Sequence, residues 1–165
     1  MIGMIYLSNM EKISTKLILD LDGVLITTPL WKADEMDSDG YSKFNTSCVD
    51  NLNELLSKAD FEIWLSSTRR TVKSIEEFNA IFGNRHIKER IKGFLPDYKN
   101  CKNRKEEILE FLIEFKPEKY LIIDDDKSLN GLETVIKERL ILTEQMKGFN
   151  QEQLKLAIEK IEKRA

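Results

Sequence analysis

Asp20 and Asp22 stand two residues apart in the run KLILDLDGVLI, with Gly23 directly behind them. Leu17, Ile18, Leu19, Leu21, Val24, Leu25 and Ile26 make the rest of the run apolar, so it reads as a buried strand. Two like charges this close are costly to bury unless something offsets them. Two further stretches close in the same way. FEIWLSSTRR ends in Ser66, Ser67, Thr68 and Arg69, and YLIIDDD ends in Asp124, Asp125 and Asp126. Three apolar strands therefore deliver carboxylates, hydroxyls and carboxylates again. Converging carboxylates with no histidine beside them make a hard oxygen site, suited to Mg2+, which is held by one or two carboxylates plus phosphate and water. Such a cation would offset the repulsion among the acids. Each motif alone also has a plainer reading: Asp-x-Asp-Gly as a strand end feeding a turn, and Asp126 before KSLNGL as a helix N-cap. Gly23 serves the tight turn that exposes the Asp20–Asp22 edge.

The elements that must position these groups alternate along the chain. Strands are expected at Lys16–Leu21, Phe61–Leu65, Ile91–Leu95, Tyr120–Ile123 and Arg139–Leu142. Helices are expected at Cys48–Ala59, Thr71–Phe82, Arg104–Phe115, Leu129–Lys137 and Gln151–Lys163. In Arg104–Phe115 the residues Ile108, Leu109, Phe111, Leu112 and Phe115 form a helical stripe, Asn103 is placed to cap it and Pro117 follows its end. Alternating strands and helices imply an α/β fold, a mostly parallel sheet wound on both faces, in a single domain over residues 1–165. Ligands in such sheets bind outside the carboxyl ends of the strands, which is where all three motifs lie. The segments Thr27–Asn45 and Gly83–Asn103 read as irregular.

The remaining composition narrows the class. The chain has 165 residues, is 41% hydrophobic and 33% charged and carries a net charge of −3, which suits a globular domain and not a general nucleic-acid binder. Cys48 and Cys101 lack any CxxC or histidine cluster, so they read as reduced, structural thiols. His86 sits among charges and reads as a solvated surface residue, and Trp31 and Trp64 read as packing residues. DSDG, Asp37 to Gly40, lacks the spacing and late glutamate of a calcium loop. The start, MIGMIYLSNMEK, has no basic stretch or long apolar run of a signal peptide and reads as a loose extension, with Met4 and Met10 as alternative starts. With no run long enough to span a membrane, a cytoplasmic protein is expected.

DLDGVL, WLSS, NRKEEI and IIDDD, in this order, resemble the haloacid dehalogenase (HAD) superfamily of Mg2+-dependent phosphatases and phosphotransferases over roughly Lys16 to Leu142. More narrowly, the chain is similar to the small phosphatase-like domains attached to bacterial RNA-repair proteins, with their DGVL, SSxR, R-x-x-E-I and DDD order. The resemblance implies a HAD-like, Rossmannoid three-layer sandwich. It implies Asp20 as the nucleophile forming an aspartyl-phosphate and Asp22 as general acid and base, its carbonyl touching the metal. It implies Ser66 as a hydrogen-bond donor to the phosphoryl group, a role open also to Ser67 or Thr68. It implies a basic residue that neutralises the phosphate, for which Arg104 and Lys105 compete. Asp125 would hold Mg2+, with Asp124 as a ligand or as a neighbour of one. Position 124 is often glycine in relatives, so the Asp-Asp form is a variant.

Neither irregular segment is long enough for a full α/β cap, so a minimally capped, open site is expected, tolerant of bulky phosphoesters. Between Arg85 and Lys105 stand Arg85, Lys88, Arg90, Lys92, Lys99, Lys102, Arg104 and Lys105, opposed only by Glu89 and Asp97. This is either an ordinary solvated face or an electrostatic lip for a polyanion. The expected function is a Mg2+-dependent phosphomonoesterase whose substrate is a phosphorylated molecule such as a nucleic-acid end. The alternatives are a non-catalytic phosphate-binding module of the same fold and a phosphotransferase, which must exclude water from the aspartyl-phosphate.

Overall fold

The apolar run at Thr15–Leu19 forms β1, buried on both faces, as a strand inside a parallel sheet must be. In the computed structural model, which describes residues 13–163, β1 is the centre of a five-stranded sheet. The expected extension at residues 1–12 lies outside the described residues. The other strands are β2 (Phe61–Leu65), β3 (Ile91–Phe94), β4 (Tyr120–Asp124) and β5 (Leu140–Leu142). Every pairing is parallel and the order is β3-β2-β1-β4-β5. The chain thus winds first to one side of β1 and then to the other. That switch leaves a crevice beyond the carboxyl ends of β1 and β4.

Helices cover both faces. On one, α1 (Thr46–Leu56), α2 (Ile75–Asn84) and α5 (Gln151–Glu162) bury Leu52, Leu55, Phe78, Phe82, Leu154 and Ala157 against Leu17, Leu19 and Ile63. On the other, α3 (Arg104–Phe115) lays Ile108 and Phe111 over Ile18 and Ile122. The α/β expectation holds, and so do the residue ranges expected for β2 and α3. Asn103 caps α3 by accepting from the Glu106 N–H at 2.9 Å, and Lys116 ends it with φ 43°, just before Pro117.

Two helices differ from expectation. The segment expected as Thr71–Phe82 begins at Ile75, because Ser74 and Glu77 cap each other's backbone reciprocally. Thr68–Thr71 before it is a separate 3-10 turn. The segment expected as Leu129–Lys137 splits into a 3-10 turn at Lys127–Gly131 and a single turn, α4, at Thr134–Lys137. Asp126 caps the first of these through the Ser128 N–H, the plainer role weighed for it. β1 also stops pairing at Leu19, so Asp20 stands just off the sheet.

Candidate active site

Asp20 leaves β1 buried, its N–H donating to the Ile123 carbonyl and its Oδ1 accepting from the Leu21 N–H at 2.8 Å. The chain then turns sharply: the Leu25 and Ile26 N–H groups both return to the Leu21 carbonyl at 2.9 Å. Gly23 holds φ 75° in this turn, and a Cβ there would fall 2.1 Å from Asp125 Oδ2. Glycine is required on both counts, since its missing side chain is the space the Asp125 carboxylate occupies.

Oxygens of Asp20, Asp124 and Asp125 lie within 4.8 Å of one another. Burial pushes the Asp20 carboxyl well above the ordinary carboxylate range, and the neighbouring Asp124 charge adds to this. Burial also raises Asp124, against the opposing pull of Arg104, and burial together with Asp124 pushes Asp125 up to about 6. Arg104, at the first position of α3, is the cation among them. Its Nε lies 3.1 Å from Asp124 Oδ2, its Nη2 3.9 Å from Asp20 Oδ1, and its Nη1 donates to the Ser66 carbonyl and to Glu107. One guanidinium, itself shared with Glu107, undercompensates this acid cluster. A divalent cation fits the deficit and the all-oxygen donor set.

The sequence-derived candidates separate here. Ser66 is fully buried and its Oγ lies 3.4 Å from Asp124 Oδ2, inside the cluster. Ser67 Oγ caps the following 3-10 turn by accepting from the Arg69 N–H, and Thr68 is exposed. Lys105 makes no ion pair among the described residues and extends toward Gly131, its Nζ 3.3 Å from where a Cβ would stand there. Asp22 does not join the carboxylates. Both of its oxygens accept from Arg69, Oδ2 from Nε at 2.8 Å and Oδ1 from Nη2 at 2.9 Å. The same guanidinium donates to Asp34 at 2.8 Å and to Ser42 at 3.1 Å, and it faces the Tyr41 ring.

Arg69 and Asp34 had no assigned role in the sequence reading. The signal for Arg69 was its place directly behind the polar strand end, but partners 47 and 35 residues away leave no local trace. Arg70 beside it is a scaffold: buried, it donates to the carbonyls of Ser66, Ser67, Leu95 and Pro96 and so joins the ends of β2 and β3.

The basic segment is not one lip. Arg85 is buried and holds Asp39 at 2.6 Å, together with the Ile81 and Ser42 carbonyls. Asp37 lies 3.7 Å from the same arginine, so DSDG is a counterion loop. Lys88 and Arg90 precede β3 and belong to the sheet's amino end. Lys99 and Lys102 follow β3 and are exposed on the carboxyl edge that carries the acids. Trp64 packs against Phe111 and Phe115 as expected, whereas Trp31 is exposed and corrects its reading as a packing residue. Cys48 and Cys101 are free thiols.

A late segment braces the turn. Thr143 Oγ1 donates to the Gly23 carbonyl at 2.6 Å, Gln145 to that of Thr28 at 3.0 Å, and the Phe149 N–H to that of Val24 at 2.9 Å. Gly148, at φ 61°, passes so close that a Cβ would lie 2.6 Å from the Val24 carbonyl oxygen.

A parallel sheet with this strand order and an Asp-x-Asp-Gly turn at its switch point define a HAD-superfamily domain. Residues 16–154 match the family described as the HAD domain in Swiss Army Knife RNA repair proteins, and the chain belongs to that family. Neither the curated proteins nor the solved structures searched contain a match. No helix among the described residues is long and apolar enough to cross a membrane.

Proposed function

We propose that this single-domain chain is a Mg2+-dependent phosphomonoesterase working through an aspartyl-phosphate on Asp20. The observation that carries the reading is the buried, undercompensated cluster of Asp20, Asp124 and Asp125 at the end of β1 and β4, faced by Arg104. In this reading Asp20, Asp125 and the Asp22 carbonyl would hold Mg2+, with Asp124 as a ligand or a neighbour of one, and the ion would supply positive charge to the phosphoryl oxygens.

An Asp20 oxygen attacks phosphorus, and the P–O bond to the leaving alcohol breaks with its electron pair on the departing oxygen. Asp22 gives that oxygen a proton. It then takes a proton from the water that attacks the aspartyl-phosphate, which releases inorganic phosphate and restores the Asp20 carboxylate. Arg69 donates to both Asp22 oxygens and so fixes the orientation of the carboxyl that moves the proton. Arg104 takes the phosphate-neutralising role for which Lys105 was the rival, and Ser66 donates to the phosphoryl group.

The substrate class we favour is a nucleic-acid terminal phosphate. The family's description names RNA repair, and exposed Lys99 and Lys102 stand on the site's edge. Two free thiols suit a reducing compartment such as the cytoplasm. A screen of phosphate esters, from nucleotides to 5′- and 3′-phosphorylated oligonucleotides, tests this. Turnover is expected with Mg2+, lost on chelation, and restored less well by Ca2+. Binding without turnover of any ester would leave a phosphate-binding module instead.

A further inference from the structure

Among the described residues, the two most exposed large apolar side chains are neighbours: Leu30, 85% exposed, and Trp31, 76% exposed. They form the tip of a turn closed by the Lys32 N–H donating to the Pro29 carbonyl at 3.0 Å. Both feet of this loop are fixed. At Thr28 the carbonyl accepts from Gln145, and at Asp34 the carboxylate accepts from Arg69 and from Ser42 at 2.7 Å. The second foot therefore shares its guanidinium with Asp22. Trp31 lies three residues from each foot, so its Cα is at most roughly 10 Å from either. An indole held in water on a loop whose second foot shares Arg69 with Asp22 is apolar surface that the fold itself does not use.

Resting on the phosphatase reading above, we infer that Leu30 and Trp31 form a stacking platform for the base of the nucleotide whose phosphate enters the Asp20 site. A base fits better than an apolar peptide side chain for two reasons. The indole is exposed on a turn rather than recessed in a pocket, which offers a flat face to a ring instead of a hole to a side chain. Lys32 follows at once and is exposed, whereas Lys43 on the adjoining stretch pairs with Glu35 at 3.8 Å, so Lys32 is the cation placed beside the ring for the phosphate next to a stacked base. The fixed feet limit the entropy lost when a ring docks.

The test compares short single-stranded RNAs whose phosphorylated terminal nucleotide either carries its base or is abasic, with the phosphate at the 5′ or the 3′ end. The parent protein is expected to favour the base-bearing end by about tenfold in kcat/KM, the scale of one base–aromatic stack. Trp31→Ala should bring that ratio close to one, and Trp31→Phe should keep most of it. A ratio that survives Trp31→Ala, or a parent with no preference, overturns the platform. Tryptophan emission supplies a readout independent of turnover, because Trp64 is packed against Phe111 and Phe115 and serves as an internal reference. In Asp20→Asn protein, base-bearing RNA should quench the emission in a Trp31-dependent way and abasic RNA should not. Quenching without hydrolysis of any ester upholds the platform and removes the phosphatase reading. Hydrolysis indifferent to the base does the reverse. Emission that responds to neither RNA overturns the platform.

Discussion

Two sets of aspartates in this protein are built on opposite principles. Asp20 and Asp124 share one guanidinium, Arg104, which is itself divided with Glu107, and Asp125 joins them without an ion pair among the described residues. Across the turn, the acids have arginines to match: Asp22 and Asp34 on Arg69, Asp37 and Asp39 on Arg85. The first cluster is short of positive charge, and its carboxyls are pushed up. The second is satisfied: Arg85 holds Asp39 well below the ordinary range, and Asp34 too is lowered, burial being outweighed by its bonds from Ser42 and Arg69. Paired acids hold a loop in place. Acids left unpaired at an energetic cost are the ones prepared for something that arrives from outside.

The largest contrast is in activity. Asp20→Asn should lower turnover of any phosphate ester by about five orders of magnitude, as loss of a covalent nucleophile does, while the fold is kept. Appreciable turnover in purified variant protein would sink the aspartyl-phosphate mechanism.

On the paired side the cost should appear in stability. Arg85→Ala removes a buried guanidinium serving Asp39 and two carbonyls, and about 2–3 kcal/mol should be lost in denaturant melts. Asp39 also fixes the sign of the pH dependence. Its lowered value means that its contribution is present above about pH 4 and fades as the pH falls through that lowered value. Were Arg85→Ala to cost equally at pH 7 and pH 2, the pairing would not be what holds the loop.

The unpaired side should run the other way. Asp125 is raised to about 6, so the metal-free protein is unburdened below about pH 4 and loses stability as the pH rises through 6. Asp125→Asn should therefore raise the melting temperature at pH 7.5 by a few degrees, corresponding to about 1–2 kcal/mol after allowance for solvent screening at this half-buried group. It should change little at pH 4. A variant less stable than the parent at pH 7.5 would contradict the charge deficit.

The smallest effect should come from Arg69→Lys, which keeps the charge but loses the fork. Alkyl esters, which need the proton from Asp22, should slow by about tenfold, and aryl esters with their better leaving groups by less. Equal slowing of both would mean that Arg69 acts on something other than the proton.

These contrasts also mark what the sequence made legible. Carboxylates ending apolar strands are a local pattern, so Asp20, Asp124 and Asp125 stood out, as did α3 between its Asn103 cap and Pro117. The start of α2 was misplaced at Thr71, although Ser74 and Glu77 spell the reciprocal cap that sets it at Ile75. Where one helix was expected at Leu129–Lys137, a 3-10 turn ends at Gly131 and α4 starts at Thr134, and it is Arg104 rather than its neighbour Lys105 that stands beside Asp124 and Asp20, a distinction two adjacent basic residues at a helix start do not spell out. The arginine pairings were beyond reach: 46 or 47 residues separate Arg85 from Asp39 and Arg69 from Asp22, and an arginine in a charged stretch looks the same whether it is solvated or buried. That is also why Arg85–Lys105 read as one basic face when β3 divides it between two edges of the sheet.

The brace from Thr143 to Phe149 carries a consequence for how the protein is born. A ribosome releases β1 and its Asp20 turn early, but the groups that fix the Gly23, Val24 and Thr28 carbonyls follow some 120 residues later. Until they emerge, the turn has its glycine and its acids but no wall behind it. The nascent chain can settle much of its sheet while this corner stays unset, so whatever the Asp20 turn does, it does only in a chain already carried through Phe149.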